Sequence, residues 1–199
     1  MKSTYPAQFR KNMKSVRELS QGAHDDLMEI PPELWCKAFF TSFAKCDACD
    51  NNMSKAFNSW IKGVRLMRII DLLEQIKVMV MKRIVAKNLE MSKWKGDIAP
   101  RGRKKFEQNK IEATKCRVEW NGVHHYDVWH YNDKFEVDIK HSECRCRGWN
   151  LTSAPCPHAI VVVWSSNLNL EDFVLIWYKK DNYKLAYGFP IMLMNVEDF

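Results

Sequence analysis

Apolar positions in the first half of the chain recur at helical steps. Met13, Val16, Leu19, Ala23 and Leu27 follow one another every three or four residues inside an otherwise polar stretch, which predicts a polar lead and then a helix within residues 1–30. Pro31 and Pro32 end it, and Pro32 can open a second, short helix over ELWCKAFFTSF, since a first-turn amide has no helical partner to lose. CDACDNN punctuates the chain. Asp50, Asn51 or Asn52 caps a helix through MSKAFNSWIK that Gly63 closes. Leu66, Ile69, Leu73, Ile76, Val80 and Ile84 then mark one stripe of a longer helix and are assigned to the core. GDIAPRGR breaks the pattern before a further amphipathic helix, KKFEQNKIEAT.

Near residue 115 the period changes from about 3.6 to two. CRVEW, YDVWHY and KFEVDIK alternate and are separated by NGVHH and NDK, the signature of a small antiparallel sheet. A cysteine-rich stretch follows directly. Beyond it PHAIVVVWSSN and EDFVLIWYKK read as compact helices, and YKLAYGFPIM as an extended tail rich in tyrosine. The fold class is therefore α+β: a helical N-terminal part, then a small antiparallel sheet with a helix. Three segments follow, a helical region at 1–114, a sheet-and-helix module at 115–168, and a C-terminal helix with its tail at 169–199.

Of the 199 residues 46% are apolar, enough for a core without external staples. The longest apolar runs, such as AIVVVW from Ala159 to Trp164, fall far short of the roughly 20 residues of a membrane helix, so no membrane partner is expected. Seven cysteines, an odd number, follow no apolar leader, which points to a reducing compartment. The net charge of +7 is concentrated: Lys82 to Lys110 holds ten Lys or Arg against three Asp or Glu. A segment of that density suits a polyanion, DNA or RNA, with Lys93, Lys95, Arg101, Arg103, Lys104 and Lys105 the expected phosphate contacts. The sign of the charge does not separate the two nucleic acids.

The densest chemistry lies in CRCRGWNLTSAPCPHA, from Cys144 to Ala159. Cys144 and Cys146 form one close pair; Cys156 and His158 form another. A strand end can present the first pair and the first turn of a helix the second. Three thiolates and one imidazole make a tetrahedral zinc shell with no position left for water, a structural site. A disulfide is disfavoured in a reducing compartment and between cysteines one residue apart. Cys46 and Cys49 form a CxxC with no second pair nearby and read as reduced thiols. His124, His125 and His130 read as strand histidines, with His124 and His130 on one face. Trp120, Trp129, Tyr131 and Phe135 read as packing for the sheet more readily than as a base-stacking platform. No glycine-rich phosphate cradle and no Ser or Cys nucleophile signature occurs, so no small-molecule substrate is expected.

Cys144, Cys146, Trp149, Pro155, Cys156, His158 and Ala159 resemble the SWIM zinc finger, whose pattern is CxC, a tryptophan three residues on, and a threonine-glycine step before PCxHA. Here the step is Thr152-Ser153-Ala154. If that position needs a positive φ, Ser153 costs stability where the family has glycine. LWCKAFF, CDACDNNMSKAFN, SWIKGVRLMRIIDLLEQIKVMVMKR and WKGDIAPRGRKKFE extend the likeness to the C-terminal part of plant Mutator-like transposases, relatives of the far-red-impaired-response transcription factors. The resemblance implies a site of three carboxylates for metal-dependent strand transfer. Asn51, Asn52, Phe57 and Asn58 match its third segment, but Lys55 stands where that segment has its glutamate, and an ammonium there repels the cations the reaction needs. The strand-rich segment bearing the first two aspartates is expected to lie upstream of this sequence. The expectation is a nuclear, DNA-associated zinc protein, remnant or domesticated fragment of a transposase, without catalysis of its own. RGRKK, from Arg101 to Lys105, is a short nuclear-localisation-like cluster. The alternatives are a module that dimerises or recruits a complete transposase or transcription factor, and a decayed reading frame with no selected role.

Overall fold

A computed structural model describes residues 3–43, 45, 47, 52–174, 176–189 and 191. The chain divides into two compact units that interleave in sequence: residues 1–49 with 101–175, and residues 50–100 with 176–199.

The first unit is built on a four-stranded antiparallel sheet, in the order β1 (Cys116–Gly122), β2 (His125–His130), β3 (Asp133–Asp138) and β4 (Glu143–Cys144). The three alternating segments of the sequence become its first three strands, and the switch of period coincides with the junction between helix α5 (Pro100–Ala113) and β1. Cross-strand register fixes which face is inward. Val118 pairs with Val128 and Val128 with Phe135, and Val128, Phe135 and Val137 are buried. Helix α7 (Pro157–Ser165) covers that face with Ala159 and Val162, and Trp149 of the short helix α6 (Gly148–Thr152) fills the remaining side. Pro157 occupies the first turn of α7, where its missing N–H costs nothing.

The N-terminal residues form a second, smaller cluster and add Tyr5 to the sheet core. Helix α1 (Pro6–Leu19) buries only Phe9 and Met13, one turn apart, against Cys36 and Ala38. Tyr5 lays its ring edge-on to Phe135, centroids 5.3 Å apart, and donates its hydroxyl to Asp133 Oδ2. The single helix expected within residues 1–30 is two. Ser20 turns to extended backbone, and its hydroxyl caps α2 (Gln21–Glu29) by accepting from the Ala23 N–H; Leu19 is left exposed. The helix expected at ELWCKAFFTSF is instead two single 3-10 turns, Pro32–Leu34 and Lys37–Phe39, because Cys36 between them is extended and completely buried. Cys46, Cys49, Asp50 and Asn51 lie outside the described residues.

The second unit contains α3 (Asn52–Trp60), α4 (Ile69–Ser92) and α8 (Lys180–Tyr187). Here the tail expected to be extended is helical. Tyr183 and Tyr187, one turn apart, pack ring against ring at 4.6 Å, Trp94 meets Tyr183 at 4.7 Å, and Asn88 donates to the Tyr187 carbonyl. Ile98 bridges to Lys179. The apolar stripe assigned to the core differs too: Leu66 precedes α4, Ile69 and Leu73 are exposed, Ile76, Val80 and Ile84 are half-buried, and only Met91 of the helix is buried. EDFVLIWYKK forms two 3-10 turns, Leu170–Phe173 in the first unit and Ile176–Tyr178 in the second. No described helix is long and apolar enough to cross a membrane.

Candidate metal centre

The end of β3, the two-residue strand β4 and the start of α7 converge on one point. Val137 pairs with Cys144, which sets β4 beside the inward face of the sheet. Arg147, in the left-handed conformation at φ 60°, turns the chain sharply into α6. Its guanidinium donates to the carbonyls of Ala38 and Phe40, tying the 36–40 segment to the turn. Gly148 lies so close to the cluster that a Cβ would stand 3.3 Å from Cys156 Cβ and 3.4 Å from Cys146 Sγ. Its N–H donates to Cys146 Sγ, and Asn150 accepts from the Cys144 N–H. Asn109 on α5 donates to the carbonyl of Pro155, holding the turn that delivers Cys156 and His158.

Cys144, Cys146, Cys156 and His158 are all buried, and their ligand atoms lie within 4.8 Å of one another. His158 Nδ1 faces the sulfurs, 3.5 Å from Cys144 Sγ and 3.9 Å from Cys156 Sγ. Zinc bonds of about 2.3 Å to sulfur and 2.05 Å to nitrogen, at the tetrahedral angle, imply S···N edges of about 3.6 Å. The four donors therefore fit one zinc ion, with Nδ1 as the imidazole ligand. Four protein donors close the shell, so the ion supplies folding energy and no open position for a reactant.

The thiols are electrostatically divided in a way that suits such an ion. Hydrogen bonds from Cys144 and Cys156, then from the Gly148 and Trp149 amides, hold the Cys146 thiol well below its usual value. Cys144 is pushed well above by the same sulfur–sulfur hydrogen bonds and by burial, and Cys156 is raised chiefly by burial. A dication arriving there displaces the protons that burial favours on Cys144 and Cys156.

The ring of His158 is fixed on both sides. Phe135 stacks on its face at 4.2 Å with an 18° interplanar angle, and His130 Nδ1 lies 3.0 Å from His158 Nε2. His130 is legible as an inward residue, since alternation along β2 sets it beside Val128 and Tyr126, but its contact is not local in sequence. His124 does not share its face, because it lies in the turn before β2. His125 instead faces Glu136 at 3.4 Å. Cys116, with its thiol raised to about 11 by burial and then by Cys156 and Glu112, completes a second cluster with His130 and His158. Of the four aromatics assigned to packing only Phe135 is buried; Trp129, with the Lys134 ammonium over its ring, Trp120 and Tyr131 are exposed.

The expected phosphate contacts do not share one element. Lys93 caps the C-terminus of α4 and Lys95 follows it, both in the second unit. Arg101, Arg103, Lys104 and Lys105 occupy the first turns of α5 in the first unit, with Lys105 3.5 Å from Asp47.

A small antiparallel sheet and a helix start clasping a closed Cys3His shell define a structural zinc finger. Residues 126–167 match the family model of the SWIM zinc finger, and that segment contains all four ligands. No curated protein and no solved structure matches the chain.

Proposed function

We propose that the protein is a nuclear, DNA-associated zinc-finger protein descended from a Mutator-like transposase and without catalytic activity of its own. The observation that carries this reading is the charge at the start of α5. Arg101, Arg103, Lys104 and Lys105 crowd its first turns, and no acidic residue is among them. A helix N-terminus already carries partial positive charge and favours anions, so four cations there work against the helix itself. A phosphate backbone removes that conflict. Arg101 and Lys104 stand three residues apart and exposed, away from the buried Gly102, Phe106 and Ala113, and the part-buried Lys105 lies between them and that buried side. The absence of catalysis rests on Lys55, exposed on α3 where the resembling family has a glutamate.

The test is binding of the zinc-loaded protein to duplex DNA as a function of salt, read by fluorescence anisotropy. Three or four phosphate contacts give a slope of log K against log salt of about −3 to −4, a loss of about two orders of magnitude between 50 and 200 mM salt. Replacing Arg101, Lys104 and Lys105 by glutamine should flatten the slope toward zero. A wild-type slope near zero sinks the reading. Single-stranded RNA as competitor decides which nucleic acid is preferred.

A second reading, a protein-interaction or homo-oligomerising module, is favoured by α4, where Ile70, Leu73, Val85 and Leu89 are each more than half exposed. Under it, Leu73→Glu with Val85→Glu abolishes self-association in light scattering and leaves DNA affinity untouched.

A further inference from the structure

We infer that His130, with the Glu112 carboxylate 3.7 Å behind it, is a hydrogen-bond relay outside the metal shell that fixes which nitrogen of His158 holds the zinc. The inference rests on the metal centre alone and does not depend on what the finger contacts.

The proton inventory leads to it. His158 presents Nδ1 to the sulfurs. A neutral imidazole that gives its Nδ1 lone pair to a metal carries its proton on Nε2. That atom is 3.0 Å from His130 Nδ1, so His158 donates and His130 accepts. Accepting at Nδ1 leaves the His130 proton on Nε2. This second nitrogen is buried, has no hydrogen-bond partner among the described residues, and lies 3.7 Å from Glu112 Oε2. The carboxylate is itself anchored 2.7 Å from Lys115 Nζ. The His158–His130 hydrogen bond thus assigns each ring proton once, with the Glu112 carboxylate 3.7 Å away attracting the His130 Nε2 proton without bonding it, and it orients the ligating ring together with the Phe135 stack. Outer hydrogen bonds of this kind typically change metal affinity by 10- to 100-fold.

The same cluster could be read as a second metal site of Cys116, His130 and His158. His158 would then have to give up its last proton and bridge two ions. Two imidazole nitrogens on one tetrahedral zinc stand about 3.3 Å apart from bond lengths of about 2.05 Å, whereas the 3.0 Å seen here is the spacing of an N–H···N hydrogen bond. The relay therefore makes His130 a positioning residue and not a ligand.

The experiment uses the full chain loaded with zinc. Long-range proton–nitrogen correlation on the wild type should show His158 bound through Nδ1 with a proton on Nε2, and His130 protonated on Nε2 alone. Competition against a chelator of known affinity should show His130→Phe holding zinc about 10- to 100-fold more weakly. His130→Asn, whose Oδ1 can accept in place of Nδ1, should stay within about threefold of wild type, a rescue that loss of packing alone does not predict. Zinc bound through Nε2, an unweakened His130→Phe, or a second tightly held zinc lost in Cys116→Ser each overturns the relay. If His130→Phe does not fold, the wild-type spectrum and the asparagine variant still decide.

Discussion

Ser153 closes α6 in the left-handed conformation, φ 57° and ψ 13°, with its N–H bonded to the Trp149 carbonyl at 2.7 Å. The conditional cost drawn from the sequence is thus realised at the position where the SWIM pattern carries glycine. Two penalties meet there. A side chain in this region costs about 1–2 kcal/mol against its Cβ, and the buried Ser153 hydroxyl has no hydrogen-bond partner among the described residues, a further cost of about 1–3 kcal/mol. Ser153→Gly removes both and gives back about 0.4–1 kcal/mol through the freer unfolded chain. The packing of the deleted Cβ offsets part of the remainder, so the net gain is about 1–3 kcal/mol. Ser153→Ala removes the hydroxyl and keeps the strained Cβ, so it should fall between wild type and glycine. The assay is thermal unfolding at a fixed excess of zinc, because ligand concentration otherwise moves the midpoint. Each kcal/mol corresponds to roughly 2–4 °C in a chain of this size. A glycine variant no more stable than the alanine variant refutes the strain argument; alanine below wild type refutes the hydroxyl argument.

Other expectations concern the metal and its supports. Cys156→Ala with His158→Ala should lower zinc content, measured by elemental analysis, from one per chain to none and abolish cooperative unfolding of the first unit. Zinc uptake should strengthen as pH rises, because the ion displaces protons that burial and sulfur neighbours hold on Cys144 and Cys156. Protons should be released as zinc binds, read from calorimetry in buffers of different ionisation enthalpy. Arg147→Ala removes the donors to Ala38 and Phe40 and should cost about 2–4 kcal/mol, with faster amide exchange at 36–40.

The features legible in the sequence are those whose cause is local. A period of two needs only neighbours to define it, and so the three long strands stand where alternation sets them; the two ligand pairs are spaced by single residues and need only a turn between them. Helix α8 escapes a reading by residue type because tyrosine carries strand preference, although Tyr183 and Tyr187 stand one helical turn apart. The stripe on α4 reads as core because periodicity names an apolar side and not what covers it. At EDFVLIWYKK an unbroken apolar run hides the extended Val174, buried at 5% exposure, that separates two single turns. His130 has the right face, but its partner lies 28 residues away.

The interleaving of the two units sets an order on synthesis. As the chain leaves a ribosome, residues 50–100 emerge before α5 and the sheet of the first unit have been made, so α4 must wait while an unrelated core forms around it in time. The zinc cage becomes complete when His158 is out, and the first unit closes by residue 175. Only afterwards does α8 arrive to meet α4. During that interval α4 lacks its contact with α8 and the Asn88 bond to the Tyr187 carbonyl, and the earlier capture of zinc leaves a single unfinished unit, not two, for chaperones to guard.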